Sequence, residues 1–272
     1  MSRLQARFGA LAAAGRKALV PFVTAGDPSL EATVPVLHAL VAAGADLIEL
    51  GVPFSDPMAD GPVIQRSSER ALARGAGLAW VLDAVRRFRE TDGDTPVVLM
   101  GYLNPVDIRG AGAFAREAVA AGVDGALLVD LPLEEAADFR AAFDAEGLAL
   151  VPLAAPTTSD ERLALLRDGA RGYVYYVSLA GVTGAEVADR AAVGARLDHV
   201  RANCALPVLA GFGIKDAATA ADMAAHADGV VVGSALVQAM ADARDPADAA
   251  ARAGAFLAPL RAAIDGASAP LR

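Results

Sequence analysis

The sequence predicts an α/β protein whose eight parallel strands close into one barrel, and three observations carry that expectation. Eight short apolar runs recur along the 272 residues: 18–26, 46–51, 96–102, 125–132, 148–155, 172–178, 207–213 and 229–235. Most are near-continuous Val, Leu and Ala rather than alternating, as strands buried on both faces of a parallel sheet must be. Ala-rich segments separate them, which sets up a repeated strand–helix order. The first run ends in "TAGDPS" (24–29) and not in the G-x-G-x-x-G turn of a dinucleotide-binding open sheet, so the doubly wound sheet is the weaker alternative. Eight such units without a composition break, in a chain close to the roughly 250 residues usual for this fold, read as a single domain over 1–272, a (β/α)8 TIM barrel.

Taken in order, an amphipathic helix is expected before the first strand, at about 2–14. Helices are then expected at 29–43, 110–121, 134–146, 159–168 and 214–225, with additional helical material at 62–92 after the second strand. "AAGAD" (42–46) and "AAGVD" (120–124) read as glycine helix ends, and Ser159-Asp160-Glu161 as a helix start. The tail 266–272 is expected to fray.

Composition narrows the partners. With 24 basic and 33 acidic residues the formal charge is −9, which argues against general affinity for nucleic acid or anionic lipid. A small phosphorylated molecule stays open, because backbone N–H groups hold phosphate without net positive charge. The single cysteine, Cys204, leaves no intrachain disulfide and suits a reducing compartment. No uncharged run reaches the length of a membrane span. "FGALAAAG" (8–15) is followed at once by Arg16 and Lys17 and reads as helix rather than as a signal core, so the cytoplasm is the expected location.

In such barrels chemistry sits at the C-terminal strand ends. "ELGVPFSDPMADG" (49–61) places three carboxylates there. Strand alternation turns Glu49 inward if Ile48 and Leu50 face the helices. A carboxylate inside a barrel is costly unless paired or used, so a hydrogen-bonded structural acid and a working acid both remain open. Asp56 and Asp60, on their own, read equally as turn and cap residues. Glycines cluster after the last three strands, in "GVTGAE" (181–186), "GFGI" (211–214) and "GSAL" (233–236). There they allow close backbone approach to an anion, and a phosphate site after strands 7 and 8 recurs in this fold.

Of the two lysines, Lys17 precedes the first strand and Lys215 opens the helix after the seventh, so neither suits Schiff-base chemistry. His38, His199 and His226 fall on helices without metal-ligand spacing, and no metal is expected. Cys204 reads as core and Trp80 as a helix-packing residue. Carboxylates and tyrosines remain for proton transfer: Glu49, Asp60, Tyr102 and Tyr175.

With these residues in hand, the chain resembles the tryptophan synthase alpha subunit family. The resemblance runs from "FVTAGDP" (22–28) to "GSALV" (233–237). It is carried by "LIELGVPFSDPMADGPVIQ" (47–65), followed in order by "MGYLNP" (100–105), "DLPLEEA" (130–136), "AGVTGAE" (180–186) and "GFGI" (211–214). It departs from common usage at Leu179 and within "DLPLEEA", where a second proline is frequent. The resemblance implies retro-aldol cleavage of indole-3-glycerol phosphate to indole and glyceraldehyde 3-phosphate. Glu49 would act as catalytic acid, and Asp60 would bond the indole N–H. Tyr175 would position the substrate and Glu49. Gly184, Gly213, Gly233 and Ser234 would form the phosphate site, and Phe22 and Phe212 the apolar wall. Thr183 would lie in a closing loop, and Asp56 on the face that meets a partner. It further implies no cofactor in this chain, and a beta subunit that carries pyridoxal phosphate in an alpha2-beta2 heterotetramer. Three rivals remain at this point. One is a free-standing indole-3-glycerol-phosphate lyase. Another is a barrel isomerase of a phosphorylated aromatic amine using two acids, which predicts Asp at the ends of strands 1 and 5 or 6: strand 1 ends near Asp27, but "VPLAAP" (151–156) after strand 5 offers none. The third is a non-catalytic barrel, which would have lost Glu49 or Asp60.

Overall fold

The computed structural model describes residues 1–165, 171–177, 190–211 and 213–267. Nine parallel strand segments run β1 (Ala18–Thr24), β2 (Ile48–Gly51), β3 (Val97–Gly101), β4 (Gly125–Leu128), β5 (Ala149–Leu150), β6 (Leu153–Ala154), β7 (Val174–Tyr176), β8 (Val208–Ala210) and β9 (Gly229–Val232). The hydrogen-bonded order is β5-β4-β3-β2-β1-β9-β8-β7-β6. Its two ends, β5 and β6, are halves of one apolar run, 149–154. Pro152 interrupts that run because it has no N–H to give a ladder. β5 pairs with β4, and the Pro152 carbonyl accepts from Tyr175 N at 3.0 Å. The sheet therefore closes on itself through this strand, and the expected TIM barrel is observed.

Helices pack around the outside, among them Thr33–Ala42, Pro62–Ala73, Leu78–Arg89, Ala111–Ala121, Ala137–Glu146, Ala217–His226 and Pro246–Ala267. Gly122 and Gly147 end two of them in left-handed conformation, with φ of 92° and 77°. The helix expected at 29–43 starts only at Thr33, and a short helix at Leu103–Asp107 was not expected.

Strand alternation divides the core. Leu19, Ile48, Leu50, Val97, Leu99, Ala126 and Val230 belong to the layer shared with the helices. Val20, Phe22, Leu47, Val98, Leu127, Tyr173, Tyr175 and Val231 fill the barrel. The expected inward direction of Glu49 follows, since it alternates with Ile48 and Leu50. The N-terminal helix Arg3–Ala13, held by a Ser2/Gln5 capping box, packs Leu4 and Leu11 into the interior group. It thereby closes the barrel end opposite the strand C-termini.

That closed end carries one device three times. Asp46, Asp124 and Asp228 each stand just before a strand. Each takes the N–H of a residue on the adjacent strand: Leu19, Val97 and Val208, all at 2.9 Å. The backbone N–H groups of the aspartates return bonds to the carbonyls of the same three residues at 2.8–2.9 Å. An arginine neutralises each carboxylate: Arg261 at 2.9 Å, Arg89 at 2.8 Å and Arg201 at 2.7 Å. These clamps fix strand register at one end, which leaves the other end free to vary in its loops.

Candidate active site

A cavity of about 430 Å³ opens at the C-terminal ends of the strands, within the range of small-molecule sites. One part of its lining is apolar, with Phe22, Ile64, Met100, Val129, Leu153, Tyr175 and Val231. Another is glycine-rich and polar, with Gly211, Gly213, Lys215, Gly233 and Ser234. Asp60 also lines it.

Glu49 sits on β2 in register between Phe22 and Val98 and is 0 % exposed. The Tyr173 hydroxyl, also fully buried, donates to its Oε1 at 2.5 Å, while Oε2 has no hydrogen-bond partner among the described residues. Burial pushes the Glu49 carboxyl up from 4.5 to about 8, and the Tyr173 bond opposes that rise. At neutral pH Glu49 is therefore a protonated acid with a proton to give.

Asp60 lies on the loop between β2 and the helix Pro62–Ala73. Tyr102, just after β3, holds it there: its hydroxyl donates to Asp60 Oδ2 at 3.0 Å and accepts from Ala59 N at 3.0 Å. The Tyr102 ring stacks on Phe54 at 4.9 Å, and Gln65 Nε2 donates to the Asp60 carbonyl at 2.9 Å. Burial raises the Asp60 carboxyl above its ordinary value, and the Tyr102 hydroxyl bond works against this. Tyr102 after β3 and Gln65 of the following helix thus hold this loop on both sides of Asp60.

The glycine-rich side is built from strand ends. Gly213 has φ of 76°, a conformation that suits glycine. Gly233 caps the helix Ser234–Met240, and the first intrahelical bond from it is Val237 N to Gly233 O at 3.0 Å. The N–H groups of Ser234, Ala235 and Leu236 have no partner within that helix, which leaves donors beside the cavity. Gly211 is required by its neighbour. A Cβ there would meet the Tyr175 ring at 2.1 Å, and the Tyr175 hydroxyl donates to the Gly211 carbonyl at 2.9 Å.

The structure therefore brings together Phe22, Asp60, Tyr175, Gly213, Gly233 and Ser234 around one cavity, with Glu49 beside Phe22 in the barrel wall. Thr183, Gly184 and Phe212 lie outside the described residues. The tyrosine that holds Glu49 is Tyr173, not Tyr175, whose hydroxyl is spent on Gly211. The signal for Tyr173 was parity: it stands two residues from Tyr175 on the same strand and so faces the same interior. Lys215, read as a helix start, also lines the cavity. Asp27 does not. It is buried and gripped by Arg70 through two bonds of 2.7 and 2.9 Å, which removes the acid that the isomerase reading needed. The three histidines bond Thr91, Asp160 and Asp198 away from the cavity. Cys204 is half-buried against the outer layer, and Trp80 packs there with Arg87 over its ring at 5.6 Å. Among the described residues no group of three His, Cys, Asp or Glu could hold a metal ion, and no helix is long and apolar enough to cross a membrane.

Tyr173→Phe removes the one group among the described residues that favours the charged form of Glu49. The limb of the pH–rate profile set by Glu49 is expected to move to higher pH, with kcat lowered about threefold to tenfold as the carboxyl loses its anchor. A profile whose limb stays in place, with only stability reduced, would leave Tyr173 a packing residue.

A closed (β/α)8 barrel, with a protonated acid in its wall and a second carboxyl at a mouth cavity, defines an enzyme of the acid–base barrel class. Residues 8–265 match the family model described as tryptophan synthase alpha chain. The tryptophan synthase alpha chain of Xanthomonas oryzae pv. oryzae strain PXO99A is 67 % identical over 266 residues, covering 97 % of this chain and 99 % of its own length. The crystal structure of tryptophan synthase subunit alpha from Legionella pneumophila str. Paris superposes with a TM-score of 0.91 at 47 % identity, over 98 % of this chain and 99 % of that one. The aminoacrylate-bound tryptophan synthase from M. tuberculosis gives a TM-score of 0.85 at 37 % identity, over 97 % of this chain and 100 % of that one. The chain belongs to the tryptophan synthase alpha chain family.

Proposed function

We propose that Glu49 and Asp60 carry out the alpha reaction of tryptophan synthase in this chain, one as acid and the other as anion. The chain is a carbon–carbon lyase that cleaves indole-3-glycerol phosphate to indole and glyceraldehyde 3-phosphate. The observation that carries the assignment of roles is the contrast between the two carboxyls: Glu49 buried beside the cavity-lining Phe22 and protonated at neutral pH, Asp60 on the lining of the cavity.

Glu49 delivers its proton to indole C3, and the ring becomes cationic. Asp60 accepts a hydrogen bond from the indole N–H and stabilises that positive charge. The glycerol C3' hydroxyl then loses its proton to Glu49. Its C–O bond becomes a carbonyl, and the electrons of the C3–C3' bond return to the ring, giving neutral indole. One proton enters and one leaves, so Glu49 ends as it began. Phe22, Met100 and Leu153 surround the ring with apolar surface. The phosphate lies at Gly213, Gly233 and Ser234, where backbone donors meet it; Gly184, Phe212 and Thr183 keep the substrate-binding roles that the family resemblance implies.

The partner is the tryptophan synthase beta subunit, and we place it over the barrel mouth. Two exposed apolar side chains support that placement: Met58, 86 % exposed, after β2, and Ile108, 79 % exposed, after β3. Asp56 lies beside Met58 on the same loop. The pyridoxal phosphate belongs to the beta subunit in an alpha2-beta2 assembly, and the cytoplasm is the compartment of the reaction. The chain acts as one barrel domain throughout.

The test is indole production from indole-3-glycerol phosphate across a titration with beta subunit. The expected result is slow turnover alone and a rise to a plateau as complex forms. Turnover that ignores a beta subunit shown by sedimentation to be bound would instead favour a free-standing lyase.

Gly213→Asp checks the phosphate end. It places a carboxylate beside the substrate dianion, and about tenfold to a hundredfold weaker binding of substrate and of glycerol phosphate is expected. Unchanged affinity for both, measured by calorimetry, would move the phosphate elsewhere.

A further inference from the structure

We propose that Lys215 is a binding residue for the substrate phosphate and sets the preference of this site for a dianionic over an uncharged side chain. The inference rests on the phosphate position given above and adds a charge to it. Lys215 and Asp60 are the two charged residues that line the cavity among the described residues. Asp60 follows β2, whereas Lys215 stands two residues from Gly213, on the glycine-rich side with Gly233 and Ser234.

Its backbone is fixed. Lys215 N donates to Thr219 Oγ1 at 3.1 Å, and Asp216 caps the helix Ala217–His226 through the Thr219 N–H at 2.8 Å. The side chain is exposed, and its ammonium makes no hydrogen bond or ion pair with any described residue. A dianion approaching a chain of formal charge −9 meets repulsion overall, and a cation at the cavity rim offsets this locally. Backbone N–H groups alone fix the phosphate's position; an ammonium adds attraction that depends on charge and falls with salt.

The experiment compares wild type with Lys215→Gln and Lys215→Arg. The expected result for Lys215→Gln at low ionic strength is a threefold to tenfold higher KM for indole-3-glycerol phosphate. The Kd of glycerol 3-phosphate should weaken to match, with binding of uncharged indole-3-propanol as in wild type. Lys215→Arg should restore both constants, and the difference should vanish near 0.5 M salt, where charges are screened within a few ångströms. A Lys215→Gln variant that matches wild type in KM and Kd at low salt overturns the role of Lys215 and leaves the proposed function standing. So does a loss that falls on kcat, or one that survives high salt. A wild-type chain that cleaves no substrate and binds no glycerol 3-phosphate overturns both.

Discussion

Glu49→Gln is expected to lower the rate of indole formation by about a thousandfold to ten thousandfold, the upper part of what a general acid contributes, because in the proposed mechanism one carboxyl handles both the proton that enters at C3 and the one that leaves the hydroxyl. The amide keeps the volume and still accepts from Tyr173, so the fold and substrate affinity should persist. Stability should move the other way. The folded carboxyl titrates at about 8 against 4.5 for the free side chain. Between those values the folded state holds a proton that the unfolded state has released, so wild-type stability falls as pH rises through this window and the loss is complete above about 8. The Gln variant has no such titration. It should match wild type near pH 5 and exceed it by a few kcal/mol at pH 9, as measured by urea unfolding at both. A variant that keeps a tenth of the rate, or that gains no relative stability with pH, would mean that Glu49 is neither the acid nor buried at a cost.

Asp60→Asn carries the second largest effect. The amide can still accept the indole N–H bond, and Tyr102 can still donate to its oxygen, so geometry is conserved while the negative charge is lost. Removing one electrostatic group of this kind costs about a hundredfold to a thousandfold in kcat, and the same is expected here. The loss should fall on kcat rather than on KM, since the charge matters only once the ring is cationic. An Asn variant with near-normal turnover would show that the hydrogen bond suffices.

Much of this was legible in the sequence because barrels impose position. An apolar run followed by a carboxylate already placed Glu49 at a strand end, and the parity of Ile48 and Leu50 gave its direction. The motif 47–65 supplied the resemblance that the comparisons bear out. Several features depended on contacts that no linear pattern contains. Tyr173 reaches Glu49 across the barrel from 124 residues away. Tyr102 ties the Asp60 loop to the end of the neighbouring strand. The split of the fifth strand turns on Pro152, a break inside a run whose apolar character is continuous. Lys215 was read by its place at a helix start, and only the curvature of the barrel turns that position toward the cavity.

The proposed division of labour pairs a protonated carboxyl in the barrel wall with an ionised one at the mouth. The pH dependence of kcat/KM for indole-3-glycerol phosphate cleavage, at constant ionic strength, tests it most directly. Activity is expected to rise as Asp60 ionises, at a pH raised from the ordinary aspartate value by burial, and then to fall through about pH 8 as Glu49 gives up its proton. A profile that keeps climbing past pH 8 to a plateau would require Glu49 to work as a carboxylate and would contradict it.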